Sequence, residues 1–148
     1  MQRELKGYTH YFHLWPKQWK TASKLRPLKW QTFQFNVVAR KLIPDKPGVY
    51  SFVINPSITN HPQRYLCYVG MTERSLQSRF HEYLQETKSE SSRPKILFLL
   101  NNWKANLEFC CVVHPKNPKQ LEARLLTAFL PPFNDQYPAR VRKFVKAF

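Results

Sequence analysis

The sequence predicts an α+β domain: a small three-stranded, mainly antiparallel sheet flanked by helices and preceded by an N-terminal extension. Three observations predict it. Two β-branched and aromatic runs, Gly48 to Ile54 (GVYSFVI) and Arg64 to Val69 (RYLCYV), flank a loop, Asn55 to Gln63, that holds two prolines and two asparagines; this is hairpin patterning. Leu76, Phe80 and Leu84 then recur at helical spacing. A third apolar run, Asn106 to Val113 (NLEFCCVV), leads into Asn117-Pro118-Lys119-Gln120, which supplies a helix N-cap, a proline at the first helical position and a capping-box partner.

Residues 1–46 interleave aromatic with basic side chains: Tyr8, Tyr11, Phe12, Trp15, Lys17, Trp19, Lys20, Lys24, Arg26, Lys29 and Trp30. Neither a strand nor a helix period holds there. Two readings stay open, an arm that stacks on bases and neutralises phosphates and a cap packed over the core. Ile43-Pro44-Asp45-Lys46-Pro47 reads as a turn or linker. The organisation expected is therefore an extension over 1–46, a main domain over 47–135 and a basic tail over 136–148.

Within the main domain the first strand, Gly48 to Ile54, is apolar enough to be buried on both faces, and Gly70 is expected to end the second. A helix runs from Thr72 or Ser75 to Gln85, followed by a polar loop, Glu86 to Ser92. Pro94 suits a helix start, continued over Lys95 to Asn102, with a strand as the alternative for so short an apolar run. The last helix runs to about Leu130, where Pro131-Pro132 stops it.

The balance of 24 Lys+Arg against 9 Asp+Glu leaves a net charge of +15 over 148 residues, well beyond the roughly 2 to 8 usual for a small soluble domain. A polyanionic partner, above all nucleic acid, is the leading explanation. At 43% hydrophobic and 15% aromatic residues the chain can bury a core, which excludes a wholly disordered protein. No secretory apolar segment or membrane-length run is visible, the longest apolar run being Ile96 to Leu100. The expectation is a soluble protein that makes no membrane contact, cytoplasmic or nucleoid-associated. Cys67, Cys110 and Cys111 are odd in number, lack Cys-x-x-Cys spacing and lie in apolar runs, so they read as core residues in a reducing compartment.

Several polar residues break the structural pattern. Gly48 and Gly70 bracket the hairpin, each beside a tyrosine-bearing strand (Gly48-Val49-Tyr50 and Tyr68-Val69-Gly70), and each permits either close backbone approach or an unusual φ. Arg79 and Tyr83 are i, i+4 neighbours flanking the apolar stripe of their helix. Glu122 shares a face with Leu125, Leu126 and Phe129, which places a carboxylate on an apolar margin where the helix dipole favours ionisation and a cation must offset desolvation. His81 points about 100° from Phe80 and off that surface. Asn134 follows the helix in a turn.

Together these residues resemble the GIY-YIG nuclease superfamily. Gly48-Val49-Tyr50 and Tyr68-Val69-Gly70 correspond to the two motif halves, Arg79 to the arginine of the next helix, Tyr83 to a position held by His or Tyr, Glu122 to the later acid, and Asn134 to the residue beyond it. The resemblance spans about residues 47–135. It implies a metal-dependent DNA endonuclease that hydrolyses phosphodiester bonds through one divalent ion, Mg2+ or Mn2+, held by Glu122. It further implies that Tyr50, its hydroxyl acidified by Arg79 and the metal, activates water with help from Tyr68. Arg79 then contacts the scissile phosphate, Tyr83 hydrogen-bonds that phosphate or the nucleophile, and Asn134 orients Glu122 or its metal. Met71 departs from the family pattern, and Arg74 is the nearest basic side chain to take a phosphate there. Lys17, Lys20, Lys24, Arg140, Arg142 and Lys143, with Lys146, are expected to track the DNA backbone. The competing expectations are a non-catalytic nucleic-acid-binding module on the same fold, or a structural partner of a larger assembly.

Overall fold

The computed structural model describes residues 9–25, 27–88 and 93–147. Tyr8, Arg26 and part of the expected polar loop, residues 89–92, lie outside them. Among the described residues the strands are β1 (Gln31–Gln34), β2 (Gly48–Ile54), β3 (Tyr65–Thr72) and β4 (Leu107–Val113). The helices are α1 (Pro16–Ala22), α2 (Leu76–Glu86), α3 (Pro94–Trp103), α4 (Pro118–Phe129) and α5 (Ala139–Val145), with short 3-10 turns at Val38–Leu42 and Lys104–Asn106. The strands form one antiparallel sheet in the order β1-β4-β2-β3.

The α+β class is as expected, but the sheet has four strands rather than three. The fourth, β1, comes from the segment read as an extension, and Phe35, Ala39 and Ile43 from the same segment lie in the main core. Its sequence, QTFQ, is a largely exposed edge that carries no alternation to detect. The expected end of β3 at Gly70 also moves. The strand continues to Thr72, and Gly70 pairs with Tyr50 in mid-strand. α3 is helical, which settles the helix-or-strand alternative, and α5 occupies the segment read as a tail.

β2 lies between β4 and β3 and is buried at every residue. Tyr50, Phe52, Phe109 and Cys111 project to one face, covered by Leu76, Phe80, Tyr83 and Leu84 of α2 and Ile96, Leu99 and Leu100 of α3. Val49, Val69 and Val112 project to the other, under Leu121 and Leu126 of α4. A bulge on β3 pairs Phe52 with Tyr68 but Val53 with Leu66, so Cys67 is the extra residue. The bulge lets Tyr68 share the first face with Tyr50 while Leu66 packs on the second. Cys67 and Cys111 are buried and Cys110 half-buried, all three unbridged, in keeping with the structural reading.

α1 packs on α4, and α5 closes against both. Trp19 meets Phe129 edge-on with centroids 4.9 Å apart, Trp15 meets Phe144 at 4.6 Å, and Arg140 Nη2 donates to Gln18 Oε1 at 3.2 Å. The two ends of the described chain therefore meet in one layer around Leu130, Tyr137 and Val141. No helix among the described residues is long and apolar enough to cross a membrane.

Candidate active site

The register of the hairpin decides which phenols meet. Tyr50 pairs with Gly70, so Tyr68, two residues earlier on β3, lies diagonally across from it on the same face. α2 begins at Ser75, whose hydroxyl caps the Ser78 amide, and this register directs Arg79 and Tyr83 at the phenols. Tyr50 and Tyr83 share a hydrogen bond between hydroxyls at 2.9 Å. Arg79 donates from Nε to the Tyr50 hydroxyl at 3.1 Å, from Nη2 to the Tyr83 hydroxyl at 3.4 Å and from Nη1 to Glu82 at 2.6 Å.

Tyr50 is 1% exposed and Tyr83 fully buried. Burial, reinforced by the Tyr83 and Tyr68 phenols, pushes the Tyr50 hydroxyl well above its ordinary range; Arg79 pulls it down without prevailing. The expected acidification by Arg79 is present, then, but it is outweighed. Burial and Tyr83 likewise push Tyr68 up. Both phenols are neutral hydrogen-bonding groups near pH 7, since an unperturbed phenol already titrates at about 10.

Both motif glycines make room, and neither has a positive φ. A Cβ on Gly70 would lie 2.5 Å from the Tyr50 hydroxyl oxygen, and one on Gly48 would lie 2.1 Å from the Val112 carbonyl oxygen. Of the two reasons for glycine expected from sequence, close approach applies and unusual backbone does not. Gly70→Ala is expected to push the Tyr50 ring aside and lower stability by about 1–3 kcal/mol, read as a drop in the urea midpoint at unchanged slope. A parental midpoint would show that the ring does not depend on the missing methyl.

Glu122 stands on the second turn of α4, after a start fixed by Asn117, whose side chain accepts from the Gln120 amide at 3.3 Å. It lines an open pocket of about 490 Å³ together with Tyr68, Asn134, Arg93, Lys119 and Tyr137. Burial pushes its carboxyl pKa up, against the pull of Lys119. The expected gain from the helix dipole does not prevail, because Glu122 has already passed the first turn where that field is strong. Asn134 is buried and bridges β3 in both directions, accepting from the Val69 amide at 3.0 Å and donating to the Val69 carbonyl at 2.8 Å. Its side-chain amide thereby fixes the turn after α4 to the sheet, where orienting Glu122 or its metal was the expectation.

The structure thus brings the expected residues together in two parts. Tyr50, Arg79 and Tyr83 form a hydroxyl–guanidinium cluster in which the phenols are buried and Arg79 is half-buried, while Glu122 and Asn134 line the pocket, and Tyr68 belongs to both through its contacts with Tyr50 and Tyr83 at centroid separations of 6.3 and 6.4 Å. Arg74 points outward, 72% exposed and paired with Glu82 at 2.8 Å. Lys17, Lys20, Lys24, Arg140, Arg142 and Lys143 are all exposed, on the layer that α1 and α5 build. Arg93 was not foreseen. Its guanidinium lies 5.1 Å over the Tyr83 ring, pairs with Glu86 and reaches the pocket.

No group of three or more metal-ligating side chains exists among the described residues. One carboxylate in an open, partly desolvating pocket nevertheless suits a hard divalent ion that keeps most of its ligands as water or phosphate oxygens, and Glu122 meets that description. No family model, curated protein or solved structure matches this chain.

Proposed function

We propose that this protein is a DNA endonuclease of the GIY-YIG kind, hydrolysing phosphodiester bonds with one divalent metal ion held by Glu122. The observation that carries this reading is the pocket in which Glu122 and Asn134 meet Tyr68, backed by the hydrogen-bonded Tyr50–Arg79–Tyr83 cluster. A chain folded merely to bury a core has no need of a desolvated carboxylate facing a half-buried phenol. Mg2+ or Mn2+ bound at Glu122 supplies charge neutralisation at the phosphate and acidifies a bound water.

The chain's own groups do the rest. Tyr68, neutral and at the pocket wall, positions the attacking water through its hydroxyl. Arg79 holds the Tyr50 and Tyr83 hydroxyls in a single arrangement, so the pocket is preorganised before substrate arrives. Asn134 keeps the turn after α4 tied to the strand that carries Tyr68. Exposed lysines of α1 and basic residues of α5 give the DNA backbone a counter-charge.

A second reading, a nucleic-acid-binding module without catalysis, draws on the sealing of Tyr50 and the full engagement of Arg79. Nicking of supercoiled plasmid in Mg2+, abolished by EDTA, supports the endonuclease. Tight binding with no nicking under either condition supports the module.

The basic layer carries its own expectation. Replacing Lys17, Lys20 and Lys24 together by Gln is expected to flatten the log–log salt dependence of duplex binding by about 2 to 3, at roughly 0.9 per phosphate contact. Anisotropy titrations across a salt series check it, and an unchanged slope would remove α1 from the interface. Deleting residues 1–46 does not serve this purpose, because it removes β1 and three core side chains.

A further inference from the structure

We infer that Arg93 and Lys119 form the phosphate-binding subsite of the Glu122 pocket, and that Arg79 does not touch the nucleic acid. This assignment rests on the reading of that pocket as the place where a phosphodiester is held.

The argument begins with which cations face the space. Arg93 and Lys119 line the 490 Å³ pocket with Glu122, whereas Arg79 is absent from its walls. Arg79 directs Nε, Nη1 and Nη2 to Tyr50, Glu82 and Tyr83, and withdrawing it would take a donor from each of two buried hydroxyls, which is costly. Arg93 is placed differently. It comes immediately before α3, and the pairing with Glu86 and the stacking over Tyr83 hold its guanidinium in one orientation. A guanidinium has five N–H donors in a fixed fork, so one that already engages Glu86 and the Tyr83 hydroxyl can present its planar edge to a phosphate by exchanging or sharing donors.

Lys119 is one helical turn before Glu122 and on the same side of α4. It is exposed and lines the pocket beside Glu122. A rigid fork and a flexible point charge on the same pocket suit an anion with several oxygens, which is the chemistry of a phosphodiester. The pocket also adjoins a second of about 470 Å³, which shares Asp135, Gln136 and Tyr137 with it and adds Lys95, Arg142 and Lys146. A strand anchored at Arg93 therefore continues over α5 with cations along its path.

The test separates this subsite from catalysis. The probe is a fluorescein-labelled single-stranded oligonucleotide of about 20 nucleotides, titrated in EDTA over a KCl series. Arg93→Gln and Lys119→Gln are each expected to flatten the log–log slope by about 0.7, one phosphate contact on a single strand. Arg93→Lys, Arg79→Gln and the control Lys104→Gln, on the turn before β4, are expected to keep the parental slope. Parental slopes for both Arg93→Gln and Lys119→Gln would overturn the subsite, and so would a slope lost on Arg79→Gln. All variants are compared only where circular dichroism shows the parental fold; should Arg93→Gln or Arg79→Gln fail that check, the exposed Lys119 decides alone. Failure of the parental protein to nick plasmid in Mg2+ would refute the hydrolase without touching the slopes, so the two ideas fail separately.

Discussion

Glu122→Gln is expected to reduce Mg2+-dependent plasmid nicking by a factor on the order of 10² to 10³ or more, the usual loss when one group that meets transition-state charge is removed. The same substitution is expected to raise thermal stability at neutral pH. Burial lifts the Glu122 pKa in the folded protein, so between the unfolded and folded values the native state binds more protons, and stability falls as pH rises through that interval. Above it the ionised carboxylate carries the whole penalty, which the neutral amide escapes. Nicking in the parent should move the opposite way, increasing with pH as Glu122 ionises. A variant that nicks at the parental rate refutes the role of Glu122; one that is inactive but melts lower refutes the desolvation argument. Arg79→Ala should be as inactive by another route, by releasing the Tyr50 and Tyr83 hydroxyls, and it should melt lower because those groups are buried.

Gly48→Ala carries the largest expected cost in stability, about 3 kcal/mol or more. The new methyl would meet the Val112 carbonyl at 2.1 Å and Leu76 Cδ1 at 2.9 Å. Leu76 has rotamers to try, but the carbonyl belongs to β4 in register with Gly48 itself, through the Gly48–Val113 and Val49–Val112 pairs. Relief requires parting two central strands, which is at the severe end of overpacking. Equilibrium urea unfolding of Gly48→Ala beside Gly70→Ala tests the ranking. If the Gly48 variant is the milder of the two, the backbone contact is less rigid than the register implies.

How much of this was legible depended on whether a residue's place is set locally. β2 could be read residue for residue because five strand formers in seven positions, Val49, Tyr50, Phe52, Val53 and Ile54, need no partner to be recognised. α4 was equally plain, since Asn117, Pro118 and Gln120 announce a helix start within four residues. β1 was invisible: four residues, three of them exposed, acquire strand character only from β4 beside them. α1 and α5, seven residues each, are too short to show an amphipathic period and hold their shape by packing on α4 and on one another.

The site divides the same way. The type and order of Tyr50, Tyr68, Arg79, Tyr83, Glu122 and Asn134 were readable, because the glycines, the helix spacing and the caps are local. Whether the two β-strand phenols share a face was a matter of register and of the bulge at Cys67, which only pairing defines. Arg93 carried no local signal at all. It precedes a proline at a helix start, and nothing in that setting reveals that α2 will bring Glu86 and Tyr83 against it. The balance of fields on Tyr50 was equally hidden, since burial is a property of the finished core.

The meeting of Trp15 with Phe144 and of Gln18 with Arg140 orders events during synthesis. α1 leaves the ribosome more than a hundred residues ahead of α5, and until α5 emerges half of the cationic layer has no seat. A nascent chain thus passes through the messenger-rich surroundings of its own translation with its cationic layer incomplete. On the function proposed above, affinity for nucleic acid switches on last, as a by-product of chain order.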